Sequence, residues 1–252
     1  MKTVTGLVSV VMALAMAAPA ARAQAGPQTG ANTGFECLLE ASVEVNLGSP
    51  VDGVVAQAFV ERGHSVRKGQ PLVRLNDKVE AATVALSRGK AEFARRRASR
   101  NDELYLKQLI SVQERDQLET EARLAELELA EREELLRLRT ILSPIDGVVA
   151  DRYVAAGDQV LRATGKIMRL LQLDPLHAEV VAPASFFGRI RSGTEAEVTP
   201  VGLGGGGRRA RVTAVDRMID AASGTFRVRL QVPNPGFAIP AGLRCQVRIP
   251  GR

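Results

Sequence analysis

Apolar residues in this 252-residue chain keep three different rhythms, and each predicts a different kind of element. From Asn76 to Thr140 they fall three and four apart, at Val79, Ala82, Leu86, Gly89 and Phe93 and again at Leu118, Ala122, Ala125, Leu129 and Leu136. That is the spacing of a helical seam, with Glu, Arg and Lys filling the other positions as on the solvent side of a coiled coil. The stretch holds no Pro and a single Gly, Gly89. Its least helical part runs from Gln108 to Ser111, and Ser111-Val112-Gln113-Glu114 has the form of a capping box, in which the hydroxyl accepts from the third helical N–H and the glutamate reaches back. The pattern predicts two helices folded back on one another, Asp77 to about Lys107 and Val112 to about Arg139, each about 45 Å long.

The helical stretch interrupts a phrase that is spoken twice. SPVDGVVAQAFVERGHSV, from Ser49 to Val66, and SPIDGVVADRYVAAGDQV, from Ser143 to Val160, are identical at ten of eighteen positions. Each copy alternates short runs of strand formers, such as Val54, Val55 and Val60, with tight turns at Asp52-Gly53 and Gly63-His64 or at Asp146-Gly147 and Gly157-Asp158. Each leads into a further apolar run, Leu72 to Leu75 in the first copy and Ile167 to Leu170 in the second. One such half is too small to bury its own apolar face; two halves packed face to face make one sandwich.

Beyond Leu171 the rhythm becomes strict alternation, predicting strands at His177 to Val181, Glu195 to Thr199, Arg209 to Val215, Thr225 to Val232 and Leu243 to Ile249. Glu36 to Asn46 adds a sixth, and six strands suit a small closed barrel, which leaves no unpaired edge. Pro183 to Ile190 is expected to form a short helix with Phe186 and Phe187 on its buried side.

Composition changes this picture at its start. Lys2, the apolar run Val4 to Ala18 and the A-x-A site Ala21-Arg22-Ala23 have the layout of a secretory signal peptide, so the mature chain is expected to begin near Gln24. Losing Lys2 and Arg22 lowers the formal charge of +6 by two, and the remaining basic residues are interleaved with Asp and Glu. With no Trp and only Tyr105 and Tyr153, the chain lacks aromatic platforms for nucleic acid, so no nucleic-acid partner is expected. Cys37 lies in the first predicted strand and Cys245 in the last. In an exported chain a disulfide between them and two buried thiols both fit the sequence.

Three sharper chemistries lose on context. Gly202 to Gly207 fits G-x-G-x-x-G but precedes an alternating strand rather than a helix, so a hairpin loop is expected. His64 and His177 lack a ligand-spaced cluster, and only Met168 and Met218 remain outside the signal segment as soft ligands, so no metal or other cofactor is expected. No nucleophile, base and orienting group can be assembled, and no enzymatic activity is expected.

The doubled SP(V/I)DGVV phrase resembles the two half-motifs of biotinyl/lipoyl carrier domains, where a short hairpin holds the lysine that takes the cofactor. Lys78 in LNDKVEA imitates that lysine, but Ser143 opens the second half 65 positions later, so a carrier is only an alternative reading. A signal peptide, a split lipoyl motif and a helical hairpin between its halves together resemble the HlyD-like periplasmic adaptors, or membrane fusion proteins, of tripartite RND-type efflux pumps. Two further stretches carry the resemblance. Arg100, Leu104 and Ser111 stand at the offsets those adaptors show at a hairpin tip that meets a TolC-like channel. Ser223-Gly224-Thr225, Asn234-Pro235 and Pro240-Ala241-Gly242 match the turns of their barrel.

The resemblance implies a mixed α+β, elongated fold: a signal peptide over 1–23, a β-barrel from 35–48 and 172–252, a lipoyl-like sandwich from 49–75 and 141–171, and a coiled-coil hairpin over 76–140. It implies a periplasmic protein of a Gram-negative envelope, with a TolC-like outer-membrane channel and an inner-membrane transporter, most typically RND-type, as partners, and copies joined in a ring of six. Arg100 would offer a fork of donors to a partner, Leu104 an apolar knob one turn on, and Ser111 room for a neighbouring backbone, besides its capping role. Adaptors commonly add a membrane-proximal domain built from both chain ends; here it is expected to be absent, or its role supplied by a partner. An envelope scaffold that uses the same hairpin on a different partner is the remaining alternative.

Overall fold

A computed structural model describes residues 34–163, 165–203 and 206–249; the signal-peptide reading and Gly204 lie outside them. In chain order the elements are β1 (Gly34–Gly48), β2 (Gly53–Ala58), β3 (Ser65–Val66), β4 (Pro71–Leu75), α1 (Lys78–Leu106), α2 (Val112–Arg137), β5 (Thr140–Leu142), β6 (Gly147–Arg152), β7 (Gln159–Val160), β8 (Lys166–Pro183), β9 (Glu195–Pro200), β10 (Arg208–Val215), β11 (Thr225–Val232) and β12 (Arg244–Arg248).

Six strands close a barrel in the order β1-β12-β9-β10-β11-β8, and the pairing of β8 with β1 shuts it. Every pairing is antiparallel, and alternation sends one side of each strand inward: Phe226, Val228, Leu230 and Val232 of β11 are buried while Arg227 and Arg229 between them are exposed. Asn234 sits inside this core, 1% exposed. Its Nδ2 donates to the Leu173 and Ile239 carbonyls at 2.9 and 2.8 Å, its Oδ1 accepts from Ile239 N–H at 2.9 Å, and its own N–H donates to Asp174 Oδ1 at 2.9 Å. A buried amide with every group matched fastens the β11–β12 connection to β8. The connection after β8 is a 3-10 turn, Ala184–Phe186, rather than the expected longer helix, and it turns only Phe186 inward. Phe187 remains 44% exposed because the chain leaves the turn in an extended conformation, its ring resting edge-on against Phe226.

The second core gathers Val55, Leu72, Leu75, Ile141, Val149, Ile167 and Leu170 from both copies of the repeated phrase. Its hydrogen bonds obey a twofold relation with a sequence offset of 94. Gly53 pairs with Val160 as Gly147 pairs with Val66, and Val54 with Gln159 as Val148 with Ser65. The Asp52 carboxylate accepts from Arg162 N–H at 2.6 Å, and the Asp146 carboxylate from Lys68 N–H at 2.9 Å. Each half therefore supplies the aspartate that fixes a turn in the other, which is why the phrase must be present twice. The glycine beside each aspartate admits close neighbours: a Cβ at Gly147 would run into the Leu171 carbonyl, and one at Gly53 would lie 2.9 Å from Arg139 Nη1. The long strands β1 and β8 belong to both cores, with Leu39 and Leu176 in the barrel and Val45, Leu47 and Met168 against the smaller one.

Candidate partner-binding site at the helical tip

The helices leave and re-enter the smaller core side by side. At their root Arg139 donates to the Asp52 carbonyl at 2.9 Å and pairs with Glu80 of α1, tying both helices to the first Asp-Gly turn. Along their length Arg88 pairs with Glu133, Lys90 with Glu128 and Arg97 with Glu121, so that rising numbers in α1 meet falling numbers in α2. The helices are antiparallel.

Leu118 and Ala122 of α2 face inward as the periodicity predicts. The seam of α1 is different from the expected one: Val84, Ser87 and Ala91 are buried, whereas Val79, Leu86 and Phe93 are 74%, 61% and 58% exposed. Two sets of positions on α1 share the same spacing, and the smaller side chains won. Small side chains at a helix contact allow a short interaxial distance, and the larger Leu and Phe are left outside it.

At the far end α1 stops with Lys107 N–H on the Glu103 carbonyl, and Gln108 takes a left-handed conformation at φ 57°. Leu109 N–H then returns to the Leu104 carbonyl at 2.9 Å. Ser111 caps α2, its Oγ accepting from Glu114 N–H at 3.1 Å; among the described residues Glu114 does not complete the reciprocal half of the box. Arg115, in the first turn of α2, lies with its guanidinium 4.5 Å from the centre of the Tyr105 ring and pairs with Asp116, a hydrogen bond that holds it still more firmly protonated. This contact bridges α1 and α2 across the turn.

Arg100 and Leu104 lie one turn apart on α1 and are both exposed, and among the described residues Arg100 makes no ion pair. Ser111 stands beyond the turn, its hydroxyl engaged by the cap. The sequence reading missed three neighbours: Leu106, Leu109 and Val112 are 82%, 66% and 50% exposed, which makes the tip an apolar surface rather than a single knob. Their signal was present, since the LYLKQLI run holds more large apolar residues than two seam positions can absorb. Cys37 and Cys245 lie in the barrel, directly opposite across β1 and β12 with Cα atoms 4.8 Å and sulfurs 2.03 Å apart. No cluster of three or more His, Cys, Asp or Glu able to hold a metal occurs among the described residues, where His64 and His177 stand apart.

Residues 43–170 match the model of the CzcB-like barrel-sandwich hybrid domain, and residues 176–252 match the CusB-like β-barrel domain. The chain belongs to this membrane fusion protein family. Its curated relatives include the antibiotic efflux pump periplasmic linker protein ArpA and the toluene efflux pump periplasmic linker protein TtgA, both of Pseudomonas putida. Each is 25% identical over 213 residues, which make up 79% of this chain and 57% and 56% of the two relatives. The chain thus spans a little over half the length of these relatives. Among solved structures, a MacA-MexA chimera containing the Pseudomonas aeruginosa MexA α-hairpin domain superposes with a TM-score of 0.74 at 19% identity, covering 87% of this chain and 79% of the chimera. MacA from Actinobacillus actinomycetemcomitans gives 0.65 at 18% identity over 86% and 78%. At these identities the likeness is one of fold.

Proposed function

We propose that this chain is the periplasmic adaptor of a tripartite efflux or secretion system, joining an inner-membrane transporter, of the RND type, to a TolC-like outer-membrane channel. Export would follow cleavage near Gln24, and the mature protein would work in the periplasm against the cell envelope. The observation that carries the reading is the antiparallel helix pair inserted between two interlocked half-motifs, ending in the exposed apolar tip of Leu104, Leu106, Leu109 and Val112. Such a surface has no use in an isolated chain and fits an apolar groove between helices of a partner. The helix pair over 76–140 acts as a coiled-coil strut, the sandwich of 49–75 and 141–171 as its base, and the barrel of 35–48 and 172–252 as the part that faces the transporter. The role is mechanical, with energy supplied by the transporter. Six copies around a ring turn weak single contacts into a tight assembly. A Cys37–Cys245 disulfide fastens β1 to β12 in the oxidising periplasm.

The test is photocrosslinking in intact cells from Leu104, with Ala85, exposed lower on the same helix, as control. Capture of an outer-membrane channel from Leu104 and not from Ala85 is the expected result. Capture of some other envelope protein at Leu104, or equal behaviour at both positions, would sink the adaptor reading and put the scaffold in its place.

A further inference from the structure

At the root of the helix pair lies a hollow of about 180 Å³. Val79 and Thr83 of α1 and Arg132 and Leu135 of α2 line it, joined by Val51 from the first copy of the repeated phrase and by the paired Glu80 and Arg139. Three of these side chains are charged, and the charges do not cancel. Arg139 is fully engaged, with one nitrogen on the Asp52 carbonyl at 2.9 Å and another on the Glu80 carboxylate. Arg132 has no such counterpart. Its Nε is buried, and among the described residues it is the one buried side-chain nitrogen or oxygen that no hydrogen bond satisfies. The carboxylates one turn before it and beside it are committed across the seam, Glu128 to Lys90 and Glu133 to Arg88. A buried N–H is costly to leave without an acceptor, and the chain itself supplies none here.

We propose that this hollow is a binding site for a small organic monocarboxylate, whose oxygens accept from Arg132 Nε–H and a neighbouring Nη–H while its apolar tail lies among Val51, Val79 and Leu135. The planar guanidinium fork matches a carboxylate with two parallel hydrogen bonds. Charge selects the anion: two guanidinium groups against the one carboxylate of Glu80 leave a single positive charge, which a monocarboxylate neutralises. A phosphate dianion would bring surplus negative charge beside Glu80. The walls select the tail, since Val79 and Leu135 are 74% and 39% exposed and an apolar group laid on them leaves water with them. Volume sets the size. The hollow equals the share of about six water molecules, room for a chain or ring of about six carbons and below the range of drug-sized ligands. A bound acid would touch α1, α2 and the segment before the first Asp-Gly turn, joining the helix pair to the sandwich where Arg139 already does. The site is independent of the adaptor reading, because it needs only the chain itself.

The test titrates hexanoate into the purified, nitrogen-15-labelled mature chain and follows the arginine Nε–H resonances, with calorimetry for the stoichiometry. The Arg132 Nε–H signal is expected to move and saturate at one hexanoate per chain, and hexanamide, which has the same shape without the charge, should leave it in place. Arg132→Gln should lose the binding. Arg132→Lys, which keeps the charge but not the fork, should weaken it at least about tenfold. Arg123→Gln, which removes an exposed cation from the same helix, should bind as the wild type does. Neither position is a buried seam residue, so both variants should fold, and circular dichroism checks that they do. An Arg132 signal unmoved by hexanoate up to about 20 mM, the weakest affinity that about eight non-hydrogen atoms of ordinary efficiency give, overturns the site. Equal binding by the Arg132→Gln chain overturns it too. Hexanamide binding as well as hexanoate, or inorganic phosphate moving the same signal at lower concentration, overturns the assignment to a monocarboxylate.

Discussion

Asn234 is the most exacting single residue of the barrel. Replacing it by alanine removes three side-chain hydrogen bonds of 2.8–2.9 Å and leaves the Leu173 carbonyl and both backbone groups of Ile239 without those partners. At about 1 kcal/mol for each bond lost, and more for a buried group left unmatched, the expected loss is about 3–5 kcal/mol. For a chain of this size that corresponds to a fall in Tm of roughly 6–15 °C. Asn234→Asp keeps the shape but turns a carboxylate oxygen toward two carbonyls, so it should lose at least as much at neutral pH and recover part of the loss as the carboxyl is protonated. The chain has no Trp, and Tyr105 and Tyr153 lie outside the barrel core, so intrinsic fluorescence is the wrong probe. Urea unfolding followed by far-ultraviolet circular dichroism, with calorimetry, reads the effect. A loss under about 1 kcal/mol for Asn234→Ala, no larger than that of an exposed control such as Gln246→Ala, would refute the claim that this amide holds the β11–β12 connection.

Cys37 and Cys245 are 208 residues apart, and loop-closure entropy puts the stabilisation from joining them at about 5 kcal/mol as an upper estimate. The double change to alanine should approach that loss, while two free thiols found in unreduced, denatured protein would reject the bridge. Ser111→Ala should cost about 1 kcal/mol and speed amide exchange in the first turn of α2, with Ser111→Asp, an equally good cap, close to wild type. Burial and then Arg229 push the His177 imidazole below its usual 6.5, against smaller opposing effects of Glu179 and Glu40. The folded state therefore binds fewer protons than the unfolded one, so stability is unaffected well above pH 6.5 and falls as the pH drops through that value toward the folded pKa. His177→Gln should flatten this part of the stability curve, and an unchanged slope would show that other groups set it.

Much of the architecture could be read from periodicity. Alternation placed five of the six barrel strands within a few residues of their observed ends, because a strand buried on one face has no other way to distribute its apolar side chains; β8 instead runs unbroken from Lys166, well before the expected His177, because it also serves the smaller core. The heptad spacing located α1 and α2, and the Ser111 cap located the break between them, because these are local properties of the backbone and its nearest side chains. The seam of α1 was not legible. Val79, Leu86 and Phe93 satisfy the same spacing as Val84, Ser87 and Ala91, and nothing within the helix distinguishes a face that meets α2 from one left outside.

What the sequence determined by itself was the set of elements and the fact of the repeat, since both depend on residues close together in the chain. Only the tertiary structure decided that Asp52 fixes a turn at Arg162 while Asp146 fixes one at Lys68, that Asn234 reaches back to Leu173, and that Cys37 stands opposite Cys245. Those pairings link positions as much as 208 residues apart. They depend on strand register and on which faces meet, and these are set by the packing of the whole chain at once.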